Sequence, residues 1–330
     1  MTLGAYLAPY IDPSLTPVFP VLGLGYPALL LCNVLAIIAW ILFRSKWAAL
    51  SILILILGYS SCSRLLNINL ADSHKGPTLK IATYNANFSK PIVLAPEDRR
   101  SEMETDFKDY LSSWDGLDVL CVQEHGEKTR EYLQRALAFP YQYELQGRTV
   151  TIYSKHPIVD KGVVDFESNI ANTCLWADIK IGSETMRVYT THLESNRSTG
   201  EVPEVILEDT PEEMSNGVLM GIVRHHQKFS IERARQAKLI KAHQEKSPHK
   251  AIICGDFNET PQSYVFTILK KDMQDSFQEE GAGIASTFGE RIPALRIDHL
   301  LVSEALEVLD HTISRSEFSD HYLVVVEVGL

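Results

Sequence analysis

The sequence predicts a mixed α/β domain that follows a two-helix membrane anchor. The first 66 residues consist mainly of two long apolar runs with almost no charge. Residues 79–330 instead alternate short apolar runs, typical of strands, with longer stretches of helical periodicity. A third observation concerns function, because polar side chains follow the ends of several strand-like runs. At 330 residues, the chain is long enough for one large domain and an anchor.

Two apolar runs predict the anchor. Residues 21–43 form a run of 23 residues without a charged side chain, long enough to cross a hydrocarbon core of ~30 Å. A second uncharged run, 47–63, continues past Arg64 to residue 66. We therefore expect two transmembrane helices, at about 21–43 and 47–66, within an anchor of residues 1–66. A buried core hairpin of a soluble protein is the alternative that stays open.

The turn between the apolar runs sets the expected orientation. It carries Arg44 and Lys46, and short loops with Lys and Arg stay in the cytoplasm. We therefore expect a multi-pass membrane protein whose large domain is extracytoplasmic, on the periplasmic side of the inner membrane in a Gram-negative cell. Residues 67–78 are polar, contain Gly and Pro, and are predicted to be a linker to the domain of residues 79–330.

The charge balance of the large domain does not favour nucleic acid as a partner. Residues 1–63 hold two basic residues and one acidic residue. Removing these from the totals of 31 and 42 leaves 29 basic and 41 acidic residues, a net charge of −12. A domain this acidic lacks the positive footprint of a nonspecific duplex-DNA binder. The five cysteines are scattered without a C-x-x-C pair, which argues against a zinc site or a disulfide framework.

Periodicity predicts the elements of the large domain. Strands are expected at 79–84, 118–123, 148–153, 162–166, 173–181, 185–191, 251–254, 297–302, 307–312 and 322–328, and helices at 97–114, 127–137, 218–246 and 263–271. The acidic, proline-containing stretch 194–215 shows no clear period and is predicted to be a long exposed loop.

The most informative stretch is Gly255-Asp256-Phe257-Asn258, which follows the apolar run 251–254. Period-two geometry places Asp256 and Asn258 on the same side of the chain, and the glycine permits close backbone approach. One acceptor and one donor are thereby directed at a single reacting group. Asp and Asn are also common local turn formers, so this motif by itself does not establish a site.

Other strand-like runs end in the same way. Polar residues of catalytic type follow five of them, namely Asn85, Glu124, His192, Asp256 with Asn258, and Asp320 with His321. Asp298 adds a carboxylate inside an apolar run, where an unpaired charge is costly. Each residue alone has an ordinary explanation as a turn former, a helix cap or a core histidine. Their recurrence at successive strand ends favours a common site.

In this order, the motifs resemble the endonuclease/exonuclease/phosphatase superfamily, which has a deoxyribonuclease I-like fold. They are Thr83-Tyr84-Asn85, Val122-Gln123-Glu124, Thr191-His192-Leu193, Gly255-Asp256-Phe257-Asn258, Arg296-Ile297-Asp298-His299 and Ser319-Asp320-His321. The resemblance implies a four-layer α/β/β/α sandwich over residues 79–330 and Mg²⁺-dependent hydrolysis of phosphate esters, with Mn²⁺ as a substitute metal. The preceding hairpin resembles a membrane-anchored bacterial subgroup. The acidic stretch 194–215 departs from a basic DNA-contacting loop, which puts the substrate in doubt.

The resemblance and the chemistry of phosphate esters assign a role to each motif residue. Three residues are expected to serve the metal: Glu124 as the main ligand, Asn85 through its carboxamide oxygen, and Asp320 directly or through water. Asp256 is expected to align or deprotonate the attacking water, and Asn258 to hold it and donate to developing charge. His321 is expected to contact the phosphoryl group, with Asp298 orienting its ring, and His192 to donate to a non-bridging oxygen.

The expected function is a membrane-anchored, Mg²⁺-dependent phosphoesterase that hydrolyses a phosphodiester or a phosphomonoester. A lipid headgroup is an attractive substrate because the anchor holds the site near the bilayer. Two alternatives are an anchored extracytoplasmic nuclease and a catalytically silent phosphate-binding module. The sequence does not indicate the oligomeric state.

Overall fold

The computed structural model describes residues 1–68, 76–167, 172–195, 216–289 and 294–330. The predicted acidic loop 194–215 therefore lies almost wholly outside the described residues, as does most of the predicted linker. Elements are numbered below in chain order.

The N-terminal segment is helical, but its helices are shorter than the sequence predicts. They are α1 Thr2–Leu7, α2 Val18–Leu24, α3 Tyr26–Leu42, α4 Ala48–Leu57 and α5 Tyr59–Ser63. In the described part of the chain, no single helix has both the length and the hydropathy needed to cross a membrane. The consecutive helices α2 and α3 meet that criterion together, with a bend of 65° between them.

Two glycines explain why the predicted spans 21–43 and 47–66 are interrupted. Gly25 separates α2 from α3, and Pro27 lies in the first turn of α3, where a proline cannot continue a preceding helix. Gly58 separates α4 from α5, and a Cβ there would lie 2.1 Å from the ring of Tyr6. The Tyr6 hydroxyl donates to the Ile54 carbonyl oxygen at 3.0 Å, so α1 packs into this break.

Two six-stranded sheets form the centre of the large domain. The first has the order β13-β14-β2-β3-β5-β4 and the second the order β10-β12-β9-β8-β7-β6. The strands of the first are Thr78–Asn85 (β2), Val119–Gln123 (β3), Tyr141–Glu144 (β4), Thr151–Ser154 (β5), Glu307–Ser314 (β13) and Leu323–Gly329 (β14). Those of the second are Ile158–Val164 (β6), Thr173–Ile181 (β7), Glu184–His192 (β8), Lys250–Asp256 (β9), Met273–Asp275 (β10) and Asp298–Ser303 (β12). Within each sheet one pair is parallel, β2 with β3 and β8 with β9.

Helices cover the outer faces of both sheets. The first sheet packs against α7 Glu97–Ser112 and α8 Glu127–Ala136, and the second against α9 Asn216–Gln244 and α10 Tyr264–Lys270. Short helices α6 Lys90–Val93 and α11 Ser276–Glu280 complete the described set. Apolar side chains from both sheets, among them Ile81, Val188 and Val326, form one buried cluster between them. These layers confirm the predicted α/β sandwich, with the order helix, sheet, sheet, helix.

The N-terminal segment packs directly against the large domain. Strand β1, Leu66–Asn67, pairs with β11, Gly283–Ile284, at the start of the predicted linker. Gln262 donates from Nε2 to the Ala5 carbonyl oxygen at 2.9 Å and to the Ser61 hydroxyl at 3.0 Å. The predicted anchor is thus part of the same packed body as the domain, which the sequence pattern does not indicate.

Candidate active site

Strand register brings the predicted site residues together at one end of the two sheets. His192 and Asp256 are register partners at the ends of the parallel strands β8 and β9. Asp298, the first residue of β12, is the antiparallel partner of Asp256. Asn85 ends β2, and Glu124 directly follows β3 in the facing sheet. The pattern of polar residues at strand ends therefore has a structural basis.

The turns at these strand ends adopt backbone conformations that few residues tolerate. Glu124 and Asn258 have φ values of 48° and 51°, in the left-handed region. Gly255 has a φ of 131°, and a Cβ there would lie 2.0 Å from the Thr191 carbonyl oxygen. Such strain costs ~1–3 kcal/mol per residue and persists where surrounding packing fixes the backbone, commonly at functional sites.

Asp298 and His321 form the central hydrogen bond of the site. His321 Nδ1 lies 2.9 Å from Asp298 Oδ2, and both residues are buried. Burial lowers the pKa of His321, but the carboxylates of Asp298 and Asp256 outweigh it and raise the pKa to about 10. Burial raises the pKa of Asp298 to about 6, against the opposing effect of His321. The two groups stabilise each other's charged forms, which favours a carboxylate paired with an imidazolium.

Asp256 lies between two histidines. Its Oδ2 is 3.8 Å from His321 Nε2 and 3.7 Å from His192 Nε2. The same oxygen accepts a hydrogen bond from Asn85 Nδ2 at 3.0 Å, while Oδ1 accepts from the backbone N–H of Asn258 at 2.8 Å. The carboxylate is thus held in one orientation with a face toward both imidazoles. Two ring nitrogens of His192 are buried without a hydrogen-bond partner among the described residues.

The predicted metal residues face the same space. Glu124 Oε1 lies 3.4 Å from Asn85 Nδ2 and 3.9 Å from His192 Nε2. The Asn85 carboxamide oxygen accepts the backbone N–H of Asn87 at 3.0 Å, so its NH₂ group faces the carboxylates. Glu124, Asp320 and Asp256 line one cavity of about 200 Å³.

The donor set suits a hard divalent cation. Asp256, Asp298 and His321 place two carboxylate oxygens and a ring nitrogen within 4.8 Å of one another, the one such group of three among the described residues. Because a protonated His321 donates and cannot ligate, the carboxylates are the groups that would bind a cation. Asp298 also has one oxygen that is buried without a hydrogen-bond partner there. With Glu124 and Asp320 on the same cavity, carboxylates outnumber the single imidazolium, and a divalent cation would offset this excess negative charge.

From the sequence, His225 and His226 are expected to form a surface pair, and Arg148, Arg197 and Arg233 are expected to be solvated more readily than to contact phosphate. The structure differs for two of these residues. His226, predicted to lie on the surface, is buried, lines the cavity, and has a pKa lowered chiefly by burial. Arg233, predicted to be solvated, is fully buried, with Nε 3.0 Å from Glu259 Oε1. Periodicity gives little warning of either, because α9 is amphipathic only weakly. Arg148, the other described arginine considered as a phosphate contact, donates to Thr173 Oγ1 at 3.0 Å, while Arg197 lies outside the described residues.

Apolar side chains at the site were also missed. Leu24 from α2, together with Phe288, Leu295 and Ile297, lines the same cavity as Asp256 and His321. The N-terminal segment therefore contributes to the wall of the site. No local signal in the sequence places Leu24 beside residues more than 200 positions away.

A four-layer sandwich with carboxylates and histidines at adjoining strand ends is the architecture of a phosphoester hydrolase. The chain belongs to the endonuclease/exonuclease/phosphatase family, whose model matches residues 82–321. A second model, for a domain of unknown function, matches residues 1–65. No curated protein sequence matches the chain.

Solved structures share the fold at low sequence identity. A humanized TDP2 of D. rerio is 16% identical, with a TM-score of 0.55, over 77% of this chain and 99% of that chain. An endonuclease/exonuclease/phosphatase of Bacteroides vulgatus is 16% identical, with a TM-score of 0.56, over 77% and 99%. A mannosyl-6-phosphatase of Bacteroides thetaiotaomicron is 16% identical, with a TM-score of 0.53, over 76% and 100%. These likenesses establish the fold of the catalytic domain.

Proposed function

We propose that the protein is a membrane-anchored, Mg²⁺-dependent phosphoesterase that hydrolyses a phosphodiester or a phosphomonoester. The observation that carries this proposal is the position of Asp256, which lies between two imidazoles and beside the carboxylates of Glu124 and Asp298. A base, two donors and cation ligands thereby surround one small cavity. Each part has a place in the hydrolysis of a phosphate ester.

The protein side chains divide the work of the reaction. Asp256, fixed by Asn85 and by the Asn258 backbone, is suited to align the attacking water and accept its proton. The His321 imidazolium, oriented by Asp298, is suited to hold a non-bridging phosphoryl oxygen as negative charge develops there. Both ring nitrogens of His192 lack a hydrogen-bond partner within the described part of the chain, so they are suited to a second such contact. Asn258 donates its side-chain amide to the Leu193 carbonyl oxygen at 3.1 Å and so fixes the turn.

Glu124 and Asp320 are the residues that would hold the cation. Asn85 orients the carboxylates of Glu124 and Asp256 through its NH₂ group, which differs from the direct ligand role expected from the sequence. A bound Mg²⁺ or Mn²⁺ supplies charge that stabilises phosphoryl oxygens in the transition state. The oxygen-rich donor set favours these hard cations.

Exposed apolar side chains on α3 and α4 support the membrane anchor. Leu31, Leu35, Ile38, Ile41 and Leu42 on α3 are each at least half exposed, as are Leu53, Ile56 and Leu57 on α4. A contiguous apolar surface of this size is typical of a protein that contacts lipid. The lipid bilayer is therefore the proposed partner of this segment, with the catalytic domain on the extracytoplasmic side because Arg44 and Lys46 lie in the turn.

A nuclease is the second candidate, and one observation favours it. A D. rerio TDP2 structure with the same fold is described in complex with a single-strand DNA product. The net charge of −12 in residues 64–330 weighs against this substrate here. A silent phosphate-binding module is disfavoured because each predicted motif residue is present and lies at the site.

A substrate panel tests the proposed function. The full chain in nanodiscs is assayed with Mg²⁺ on phosphomonoesters, phosphodiesters, phospholipids and single-stranded DNA, with and without excess chelator. We expect hydrolysis that stops in chelator and returns with Mg²⁺ or Mn²⁺. Glu124→Gln should raise the Mg²⁺ concentration needed for activity, whereas the exposed control Glu102→Gln should not. Undiminished hydrolysis in excess chelator contradicts the metal assignment.

Topology is tested separately. A reporter fused to the C-terminus should read as extracytoplasmic, and several lysines added near Ser73 should weaken that orientation. A cytoplasmic signal from the reporter on the unmodified protein would contradict the proposed localisation. It would leave the proposed phosphoesterase reaction unaffected.

A further inference from the structure

An apolar groove lies beside the active-site cavity, at the junction of the N-terminal helices and the catalytic domain. It has a volume of about 560 Å³, within the ~300–1,000 Å³ typical of small-molecule sites. One wall comes from the start of α3 and includes Pro27, Ala28, Leu31 and Val34. All of the described residues that line the groove are apolar or glycine.

The opposite wall belongs to the catalytic body. It is formed by Leu65 and Leu66 at the end of the N-terminal segment, by Ile284 of β11, and by Ala294 and Leu295 before β12. Leu66 and Ile284 are 48% and 58% exposed, so the groove presents apolar surface that no described residue covers. Exposed apolar surface in a concave site marks a binding region for an apolar ligand.

The groove and the active-site cavity meet. Leu24 and Leu295 line both of them, so the two spaces lie on either side of these side chains and a ligand that spans both would pass them. Thr260, which lines the active-site cavity, also holds the end of α2, since its hydroxyl donates to the Gly23 carbonyl oxygen at 3.4 Å. The N-terminal helix is thereby fixed at the junction between the charged and the apolar spaces.

The outer end of the groove lies on the lipid-facing side of α3. Leu31 and Val34 line the groove and are 58% and 39% exposed, on the same helix as the apolar residues assigned to the bilayer. From this surface towards Asp256 and His321, the lining side chains therefore change from apolar to charged. That polarity matches a molecule with an apolar chain and a phosphate head.

We propose that the substrate is a membrane-resident amphiphile, with its phosphoester at Asp256 and His321 and its apolar chain in the groove between α3 and Leu295. This inference rests on the proposed phosphoesterase function and narrows its substrate class. Hydrolysis breaks the P–O ester bond with water, so the apolar chain of the substrate leaves as an alcohol or stays on the released phosphate. Burial of the chain increases kcat/KM by up to about fourfold per methylene.

The first experiment uses matched ester series. The full-length protein in nanodiscs is assayed on two series of esters, alkyl phosphomonoesters and p-nitrophenyl alkyl phosphodiesters. Within each series the compounds differ only in the alkyl group, from methyl to octyl. We expect kcat/KM to rise with chain length. In Leu31→Asn and Ala28→Trp the rise should be lost, with a decrease of at least tenfold for the octyl ester and an unchanged rate for the methyl ester.

Leu35→Asn is the matched control, because Leu35 lies one turn further along α3, is 54% exposed, and does not line the groove. It should retain the preference for long chains. Equal loss in Leu31→Asn and Leu35→Asn would mean that partitioning into the bilayer, and not the groove, creates the preference. That result overturns the inference while leaving the phosphoesterase function intact.

The second experiment does not need turnover. A dodecyl phosphate with a photoreactive diazirine on its alkyl group is crosslinked to the full-length protein in the presence of chelator. The labelled residues are then mapped by mass spectrometry. Labels on the groove-lining residues of α3 and near Ile284 or Leu295 support the inference. Labels confined to the outer faces of α3 and α4 overturn it. If no ester is hydrolysed, the proposed phosphoesterase function is contradicted. The crosslinking pattern still tests whether the groove binds an apolar chain.

Discussion

Arg296 and Asp298 are two residues apart, and each forms a buried ion pair. The two pairs differ in the number of hydrogen bonds that hold them. Arg296 donates to both oxygens of Asp275, at 2.8 and 2.6 Å, and to the Arg64 carbonyl oxygen at 3.1 Å. Asp298 makes one side-chain hydrogen bond, to His321, and leaves its other oxygen without a partner among the described residues. The first pair is bidentate, although Arg296 Nε is buried without a partner among the described residues, whereas a single hydrogen bond holds the second pair.

This contrast separates scaffold from site. The Asp275–Arg296 pair joins β10, the segment before β12 and the end of the N-terminal segment, so its geometry serves packing. His321 of the Asp298–His321 pair lines the active-site cavity, so this pair faces the space in which a ligand, water or cation would bind. An incompletely bonded buried charge costs stability, which is tolerated where function requires it. Substitutions should therefore separate the two pairs by their effects on folding and on turnover.

The largest effect on turnover is expected for substitutions of Asp256 and His321. Asp256→Asn and His321→Ala should each lower kcat by roughly 10²–10⁴-fold, because each removes a group that acts on the same water and phosphoryl group. The double variant should fall far short of the product of the two effects. Rates on the best substrate of the panel measure this.

Folding provides the control for those variants. Asp256→Asn keeps the shape of the side chain, so its urea denaturation midpoint should stay close to that of the unsubstituted chain. His321→Ala leaves the Asp298 carboxylate buried without its partner and should lower the midpoint, so rates are normalised to the folded fraction. Near-full turnover by both single variants would show that the site has been misplaced.

Breaking the Asp275–Arg296 pair, called the scaffold pair below, should lower folding stability and leave turnover nearly unchanged. Arg296→Met leaves the Asp275 carboxylate buried without its bidentate partner, which is expected to cost about 3–5 kcal/mol of folding stability. Turnover per folded molecule should change little. Urea denaturation, followed by activity normalised to the folded fraction, measures both.

The pH dependence of the scaffold pair has a defined sign. Burial raises the pKa of Asp275, but Arg296 outweighs burial and the net pKa is lowered from 3.8. The pair therefore contributes stability above pH 3.8, and that contribution is lost as the pH falls through the lowered value. Asp275→Leu combined with Arg296→Met should recover part of the loss, since it leaves no buried charge unpaired. Equal instability of the single and double variants would contradict the ion-pair explanation.

The Asp298–His321 pair could be predicted from the sequence more readily than the Asp275–Arg296 pair. Asp298 could be predicted because an acidic residue inside an apolar strand needs a partner, and the motif resemblance supplied His321. Asp275 and Arg296 carry no such signal, because β10 has only three residues and its pairing with β12 is a long-range contact. Local periodicity predicts strands and helices, but it contains no information on which elements pack together.

The same limit explains the errors in the N-terminal segment. Its apolar composition was visible, as were Gly25 and Pro27 at the bend, but the sequence did not show that Gly23 packs close to the Gln262 carbonyl oxygen, where a Cβ would lie at 2.5 Å. Nor did it show that Tyr6 packs against Gly58 at the second break. Both contacts join residues distant in sequence, so composition alone predicted longer helices than the chain forms.

A smaller effect is expected for the residue that orients the catalytic ring. Asp298→Asn keeps the His321 ring in place and removes a charge that raises its pKa. We expect kcat to fall by roughly 10–100-fold, as is typical when a supporting hydrogen-bond partner is lost. The pKa of His321, measured by NMR in the chelated protein, should fall below that of the unsubstituted chain.

Asp298→Ala tests whether orientation or charge is lost. If the amide of Asn keeps the ring aligned, Asp298→Ala should be slower than Asp298→Asn at the same pH. Identical rates for the two variants would assign the whole effect to charge.

The smallest effect is expected at a third ion pair, which is exposed and links the N-terminal segment to the catalytic domain. Lys238 Nζ lies 2.9 Å from Asp12 Oδ2, and the two side chains are 53% and 26% exposed. Exposed pairs contribute little because water screens both charges. Lys238→Met, which retains most of the apolar stem, should lower folding stability by less than about 1 kcal/mol.

Salt and pH distinguish this pair from the two buried ones. Burial raises the pKa of Asp12, but hydrogen bonds from Lys238 and Ser14 outweigh it and lower the pKa well below its ordinary value of 3.8. The contribution of the pair is therefore present above pH 3.8, is lost as the pH falls, and should also shrink in 1 M salt, where the Debye length is ~3 Å. The difference in denaturation midpoint between the unsubstituted chain and Lys238→Met should vanish in 1 M salt, whereas the difference for Arg296→Met should persist. A Lys238→Met effect as large as that of Arg296→Met, and insensitive to salt, would mean that burial is not what separates the pairs.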